Sequence, residues 1–316
     1  IWAMDVARFG NYASPEYGTI KSSENYERRF VMTFPNETLP KGRKQKTTAL
    51  YDRFVDQGAV MGDSFGLENV LWFANNKEDA HEEPTIKRSR SHSYVSKEVI
   101  NVRENVGLIE VANFAKHEFK GPDSRKFLNY IMAGRLPKPG RISLTPMLTH
   151  KGKLYGDLTV ACLDEYEFMI FGSGVAQEMH RRWFETHINK FNVNYKNRSD
   201  DFHGLSIAGP KSRKVLEKIV RDDISNEKFK FRDSKKMFAG GVPAIVNRIS
   251  FTGELGYEIY VAPHFQLKLY EEIETVGKEF SLKPFGGRAL MSMRLEKNWG
   301  AWTLDFRPDF TAKESG

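Results

Sequence analysis

Apolar residues recur with two different periods along this chain, and the change of period marks out its elements. Tyr257, Ile259 and Val261 alternate with Glu258 and Tyr260, so Ser250–Val261 reads as a turn followed by a strand. The same alternation predicts strands over 114–119, 143–150, 154–163 and 167–171, the middle pair joined by a turn at Lys151-Gly152-Lys153. Val95, Val99, Val102 and Val106 are spaced for one helical face, which predicts a helix over 95–106 ended by Gly107. Further helices are expected over 51–57, from Gly121 onward with Pro122 in the first turn, over 175–190 and over 264–280. A hairpin is expected over 242–261. Residues 1 to about 95 are dense in turn signals, such as Leu39-Pro-Lys-Gly42 and Phe73-Ala-Asn-Asn76, and read as an extended segment that packs on something else.

One string occurs twice. Gly121-Pro-Asp-Ser-Arg-Lys-Phe-Leu128 and Gly209-Pro-Lys-Ser-Arg-Lys-Val-Leu216 each follow a strand-like run and open a helix-like one, which predicts an internal structural repeat. Strands and helices in this order, with short hairpins, define an α+β architecture rather than a doubly wound sheet. Phe168-Met-Ile-Phe-Gly-Ser-Gly174 mimics a dinucleotide-binding turn. Its third glycine position is Gln177, however, and no acidic residue follows at the required distance. The two glycines are read as an ordinary strand-to-helix turn.

Composition narrows the class. The 316 residues are 40% hydrophobic and 28% charged, with a net charge of +7. Basic clusters such as 41–46 and 87–90 read as solvated loops, and the mild excess suits an anionic small molecule better than a nucleic acid, whose usual motifs are missing. A single cysteine, Cys162, precludes an internal disulfide and points to a reducing compartment. Eight scattered histidines offer no metal-ligand spacing. No run is apolar enough to predict a membrane span or signal peptide. Both termini break off mid-pattern, so the chain reads as part of a longer polypeptide.

Three stretches place polar groups beside apolar sequence. Asp157 follows Gly156 and opens an apolar strand, where partial burial would raise its pKa toward the range useful for proton transfer. Thr159 shares its face. A turn-capping Asp beside a solvent-facing Thr is the alternative. Glu258 lies mid-strand, where it either faces water or offers two oxygens to parallel N–H donors. In Ala289-Leu-Met-Ser-Met-Arg-Leu-Glu296, Arg294 and Glu296 are left to pair with each other or to meet a ligand carboxylate.

Together, Leu144–Val160, Ser206–Arg213, Thr252–Ile259 and Ser292–Lys297 resemble the tetrahydrofolate-binding half of dimethylglycine and sarcosine dehydrogenases, itself similar to the aminomethyltransferase (T-protein) of the glycine cleavage system. Met4–Gly10, Tyr51-Asp-Arg53, Gly58–Asp63 and Leu71–Ala74 resemble the connector that joins the FAD domain to that half. The resemblance implies a connector over 1–95 and a folate-binding domain over 96–316. The domain would consist of repeated α/β subdomains around a central hole, with the final β-barrel subdomain absent. It implies that Asp157 is the catalytic residue. Glu258 would hold the pterin N3–H and 2-amino group, and Thr159, Phe251, Tyr257 and Arg294 would complete the cofactor-binding set. Phe251 stands where the dehydrogenases usually carry a tyrosine. The cofactor implied is tetrahydrofolate, with FAD only through an absent N-terminal domain. The partners implied are an N-methyl amine substrate and the FAD domain of the same polypeptide, with no nucleic acid and no membrane. The location implied is cytoplasmic, or the mitochondrial matrix in a eukaryote. The function implied is capture of the carbon released by oxidative N-demethylation. A flavin-independent folate transferase and a non-catalytic folate-binding module are the alternatives.

Overall fold

The computed structural model describes residues 5–302 and 304–315. Two leading helices, α1 (Pro15–Glu27) and α2 (Tyr51–Asp56), precede the hairpin β1 (Ala59–Ser64) and β2 (Leu67–Phe73). After α3 (Ser91–Glu104) and β3 (Val106–Glu110), the first repeat unit comprises β4 (Ala115–Lys120), α4 (Ser124–Ile131), β5 (Arg141–Leu148), β6 (Leu154–Asp164), β7 (Glu167–Gly172), α5 (Gln177–His187) and β8 (Asn194–Asn197). The second comprises β9 (His203–Ala208), α6 (Ser212–Ile219), β10 (Ser234–Ala239), β11 (Val242–Asn247), β12 (Gly256–Val261), α7 (Gln266–Gly277), β13 (Leu282–Pro284) and α8 (Gly287–Glu296).

Two main sheets result. One has six strands in the order β10-β11-β12-β9-β3-β13, the other five in the order β5-β6-β7-β4-β8. Every neighbouring pair is antiparallel except β13 with β3. The α+β class read from the sequence is therefore the class observed.

Strand alternation distributes the core. In β6, Leu158, Val160 and Cys162 point to one face and pack with Phe127 and Leu128 of α4 and Phe184 of α5. In β12, Tyr257, Ile259 and Val261 point to one face and pack with Val215 and Leu216 of α6 and Leu269 and Ile273 of α7. The opposite faces meet each other. Ile142, Ala161, Met169 and Phe171 of the five-stranded sheet share a cluster with Ile109, Ala208, Ile245 and Tyr260 of the six-stranded sheet. The order of layers is thus helix, sheet, sheet, helix, with α3 and α8 adding Val102, Ala289 and Met293 to the middle cluster.

The duplicated string makes the same turn twice. Gly121 and Gly209 take φ of 136° and 127°, and the amide of Ser124 or Ser212 returns to the glycine carbonyl at 3.0 Å. A Cβ on Gly209 would lie 2.4 Å from the Val102 carbonyl oxygen, so only glycine fits. The Phe168–Gly174 string does form a plain strand-to-helix turn, in which a Cβ on Gly174 would meet the Asn113 carbonyl oxygen at 2.2 Å.

Two expectations change. The helix expected over 95–106 runs from Ser91 to Glu104, and Gly107 lies inside β3 instead of ending it. It is small because a Cβ there would meet Val102 and Phe285. The first 95 residues are not irregular throughout: α1 and the β1–β2 hairpin form, and Leu50, Phe54, Ala59 and Val70 enter the core cluster under the six-stranded sheet. The Glu98 carboxylate ties this segment down by accepting from the amides of Phe73 (2.7 Å) and Gly286 (3.0 Å).

Candidate functional site between the two sheets

Asp157 and Thr159 lie on the β6 face that carries Ala161, the face turned toward the six-stranded sheet. Thr159 pairs with Phe171 on β7, and Phe171 pairs with Lys116 on β4, so Thr159, Phe171 and Lys116 form one row. Across the gap the Phe171 ring stacks on Tyr260 with centroids 4.5 Å apart. The Tyr260 hydroxyl donates to Glu258 Oε2 at 2.9 Å. The two carboxylates, about a hundred residues apart in sequence, therefore lie on the facing sides of two sheets whose contact includes this aromatic stack. Leu144, opposite Thr159 on β5, is 66% exposed, so this face opens to solvent along that edge.

Their electrostatics differ. Asp157 is half-buried, and burial alone raises its pKa from 3.8 to about 6. Among the described residues it caps no turn and has no charged or hydrogen-bonding partner, so the carboxyl is available as a proton acceptor or donor near neutral pH. Burial also raises Glu258, to about 7, against the opposing effects of the Tyr260 hydrogen bond and the Lys116 charge. Glu258 Oε1 has no hydrogen-bond partner among the described residues, which leaves it able to accept from a ligand.

The other candidates separate into two groups. Arg294 is buried and donates from Nη1 to the Trp299 carbonyl at 2.9 Å and to Asp305. The Trp299 ring in turn stacks on Phe251 at 6.1 Å. These two candidates brace one corner, where Arg103 joins Glu254 to Glu296. Arg294 and Glu296, left to pair by the sequence pattern, take separate partners. Tyr257 is not brought together with Glu258. It points to the opposite face of β12, fully buried against Phe229, and its hydroxyl accepts from Arg213 Nε at 3.0 Å.

Several polar residues here escaped the sequence reading. Lys116 is completely buried and spends its ammonium on the carbonyls of Ala112 (2.7 Å), Phe114 (2.7 Å) and Ser199 (3.3 Å). Burial depresses it to about 7 while the charges of Asp200, Glu110 and Glu258 oppose that shift. Ser234, Asn247, Glu258 and Ser206 form a buried polar row across four strands, each directly opposite the next. Period-two counting from Ile245 and Tyr260 could have found Asn247 and Glu258 together, since both share those residues' face. A cavity of about 130 Å³, bordered by Tyr130, Trp183 and His187, lies elsewhere and is lined by none of the candidate residues. No cluster of three or more metal-ligating side chains occurs among the described residues. None of their helices is long and apolar enough to cross a membrane.

Two packed α/β layers with facing sheets are the fold of the glycine-cleavage T-protein. The chain superposes on aminomethyltransferase T from Bartonella henselae with a TM-score of 0.70 at 22% identity, covering 84% of this chain and 66% of that one. The GCVT N-terminal domain model matches residues 50–316, and the chain belongs to that family. The FAD dependent oxidoreductase central domain model matches residues 1–48. Human mitochondrial dimethylglycine dehydrogenase is 33% identical over 99% of this chain, and human mitochondrial sarcosine dehydrogenase 27% identical over 99%. The chain spans only 36% and 39% of their respective lengths. This is a domain of the aminomethyltransferase type, related to the dimethylglycine and sarcosine dehydrogenases.

Proposed function

We propose that this chain captures a one-carbon unit on tetrahydrofolate, forming 5,10-methylenetetrahydrofolate from the carbon released by oxidative N-demethylation of dimethylglycine or sarcosine. What supports the reading is that Asp157 and Glu258 lie on the facing sides of two packed sheets, each with carboxylate oxygen that bonds no described residue. The residues present fit a reduced pteridine. Glu258 offers a buried acceptor for paired N–H groups, and Thr159 and Asp157 stand on the opposing sheet. When bound, the folate supplies the nucleophilic nitrogen. Asp157 holds or removes a proton at that nitrogen, because its pKa of about 6 lets either protonation state be reached near neutral pH. Arg294 and Phe251 brace the corner through Trp299 and Asp305. Tyr257 acts from behind the strand, fixing β12 through Arg213.

In this reading the leading segment, taken as a connector over 1–95, joins a flavin domain; the oxidoreductase match supports that for 1–48, while the GCVT match already begins at residue 50. Enclosure between the domains would keep the released carbon from water. The test is calorimetric titration of the intact protein with tetrahydrofolate. Glu258→Ala is expected to weaken binding at least tenfold, about 1.4 kcal/mol. Equal affinity would remove Glu258 from the site and with it the basis for this assignment.

A further inference from the structure

We infer that Asn247 is a specificity-determining residue that donates a hydrogen bond to a ring carbonyl of the ligand held by Glu258; this rests on the folate reading above. Asn247 ends β11 directly opposite Glu258 on β12, and the shared register puts both side chains on the face turned to the other sheet. Opposed residues of antiparallel strands have Cβ atoms about 5 Å apart, close to the span between two exocyclic groups that flank one ring N–H.

The hydrogen bonding fixes which end of the amide is available. On the far side Ser234, itself 2% exposed and opposite Asn247 on β10, donates its hydroxyl to Asn247 Oδ1 at 2.7 Å. That bond occupies one lone pair of the amide oxygen and holds the amide plane. The Nδ2 amide group is left buried with no hydrogen-bond partner among the described residues, in a residue that is 0% exposed. Leaving such a donor unmet costs about 1–3 kcal/mol, so a ligand acceptor that meets it recovers that amount on binding.

Side by side, the two residues present acceptor oxygens at Glu258 and donor hydrogens at Asn247. The ligand edge that matches carries N–H donors next to a carbonyl oxygen, as in a 2-amino-4-oxo heterocycle. Ser206, opposite Glu258 on β9, closes the row on the other side. A ring with an amino group in place of the carbonyl would set donor against donor and be rejected.

The test measures tetrahydrofolate binding by calorimetry in the intact protein for Asn247→Leu, Asn247→Asp, Ser234→Ala and Glu258→Ala, with thermal melts confirming the fold of each. Asn247→Leu is expected to bind about tenfold more weakly. Asn247→Asp keeps the shape but sets a carboxylate oxygen against the ligand carbonyl, so it should lose at least as much. Ser234→Ala leaves Asn247 in place but releases its amide, with an expected loss of about threefold. It serves as the decisive variant should both Asn247 replacements unfold. Wild-type affinity in the Asn247 variants alongside a weakened Glu258→Ala would overturn the role of Asn247 alone. So would a Leu variant that weakens binding while Asp does not, since shape and not the donor would then matter. Unchanged binding in Glu258→Ala would overturn the folate site itself.

Discussion

Replacing Asp157 by Asn tests the central electrostatic feature of the site by two routes. Burial disfavours the anion, so the native pKa of about 6 lies above the ordinary 3.8. As pH rises from about 4 the unfolded chain releases this proton first, and native stability falls until the pH passes about 6, then stays level. At 1.36 kcal/mol for each tenfold change, that displacement corresponds to about 3 kcal/mol lost above pH 6. An asparagine side chain carries no charge at any pH and escapes this loss. The variant should therefore gain roughly 2–3 kcal/mol relative to wild type between pH 4 and pH 7, measured by urea unfolding at several pH values. Other titrating groups cancel in the difference because Asp157 has no charged partner. In the catalytic assay the Asp157→Asn variant keeps the shape of the site but can neither take nor give the proton. Tetrahydrofolate binding should survive while methylene capture falls by about a hundredfold or more. A stability difference that does not change with pH would refute the buried, unpaired carboxyl, and undiminished capture would refute its role in proton transfer.

Glu98→Gln leaves one acceptor and aims an N–H group at a backbone amide, which should cost about 1–3 kcal/mol. Hydrogen exchange should localise the damage to the Phe73 and Gly286 amides that Glu98 now accepts from. Lys116→Met orphans three backbone carbonyls and should destabilise the fold by about 3 kcal/mol or more in thermal or urea unfolding. In the fraction that folds, the Glu258 pKa should rise further because the Lys116 charge now opposes that rise, and a carbon-13 carboxyl titration would detect it.

Strands β5 and β6 were legible because they carry their period-two pattern openly, whereas β7, β11 and β12 are buried along most of their length and were legible as short apolar runs bounded by turns. The internal repeat was legible for a stronger reason. A left-handed glycine followed by proline at a helix entry is a steric requirement, and both copies make the same Ser-to-Gly return bond. The leading segment was harder. Helix α1 has only Glu24 buried, so its exposed residues offered no apolar stripe to count. In β3, Val106–Ile109 is buried on both faces and continues the valine spacing of α3, and a strand lacking polar alternation cannot be told from a helix by period alone.

The site was legible only in halves. Alternation puts Glu258 with Tyr260 and Asp157 with Thr159, each on a definite face of its own strand. Nothing local states that those faces oppose each other. That follows from the helices: α4 and α5 cover one face of the five-stranded sheet, and α6 and α7 cover one face of the six-stranded sheet. Each sheet then has one apolar face left uncovered, and the two can be buried together only against each other. Phe171 and Tyr260 fill that contact. Beside it, Asn247, Glu258, Ser206 and Thr159 occupy positions that a simple inter-sheet core would give to valine or isoleucine. A buried polar row of this kind costs stability unless it meets a partner, and that cost is the physical reason for the folate proposal made above.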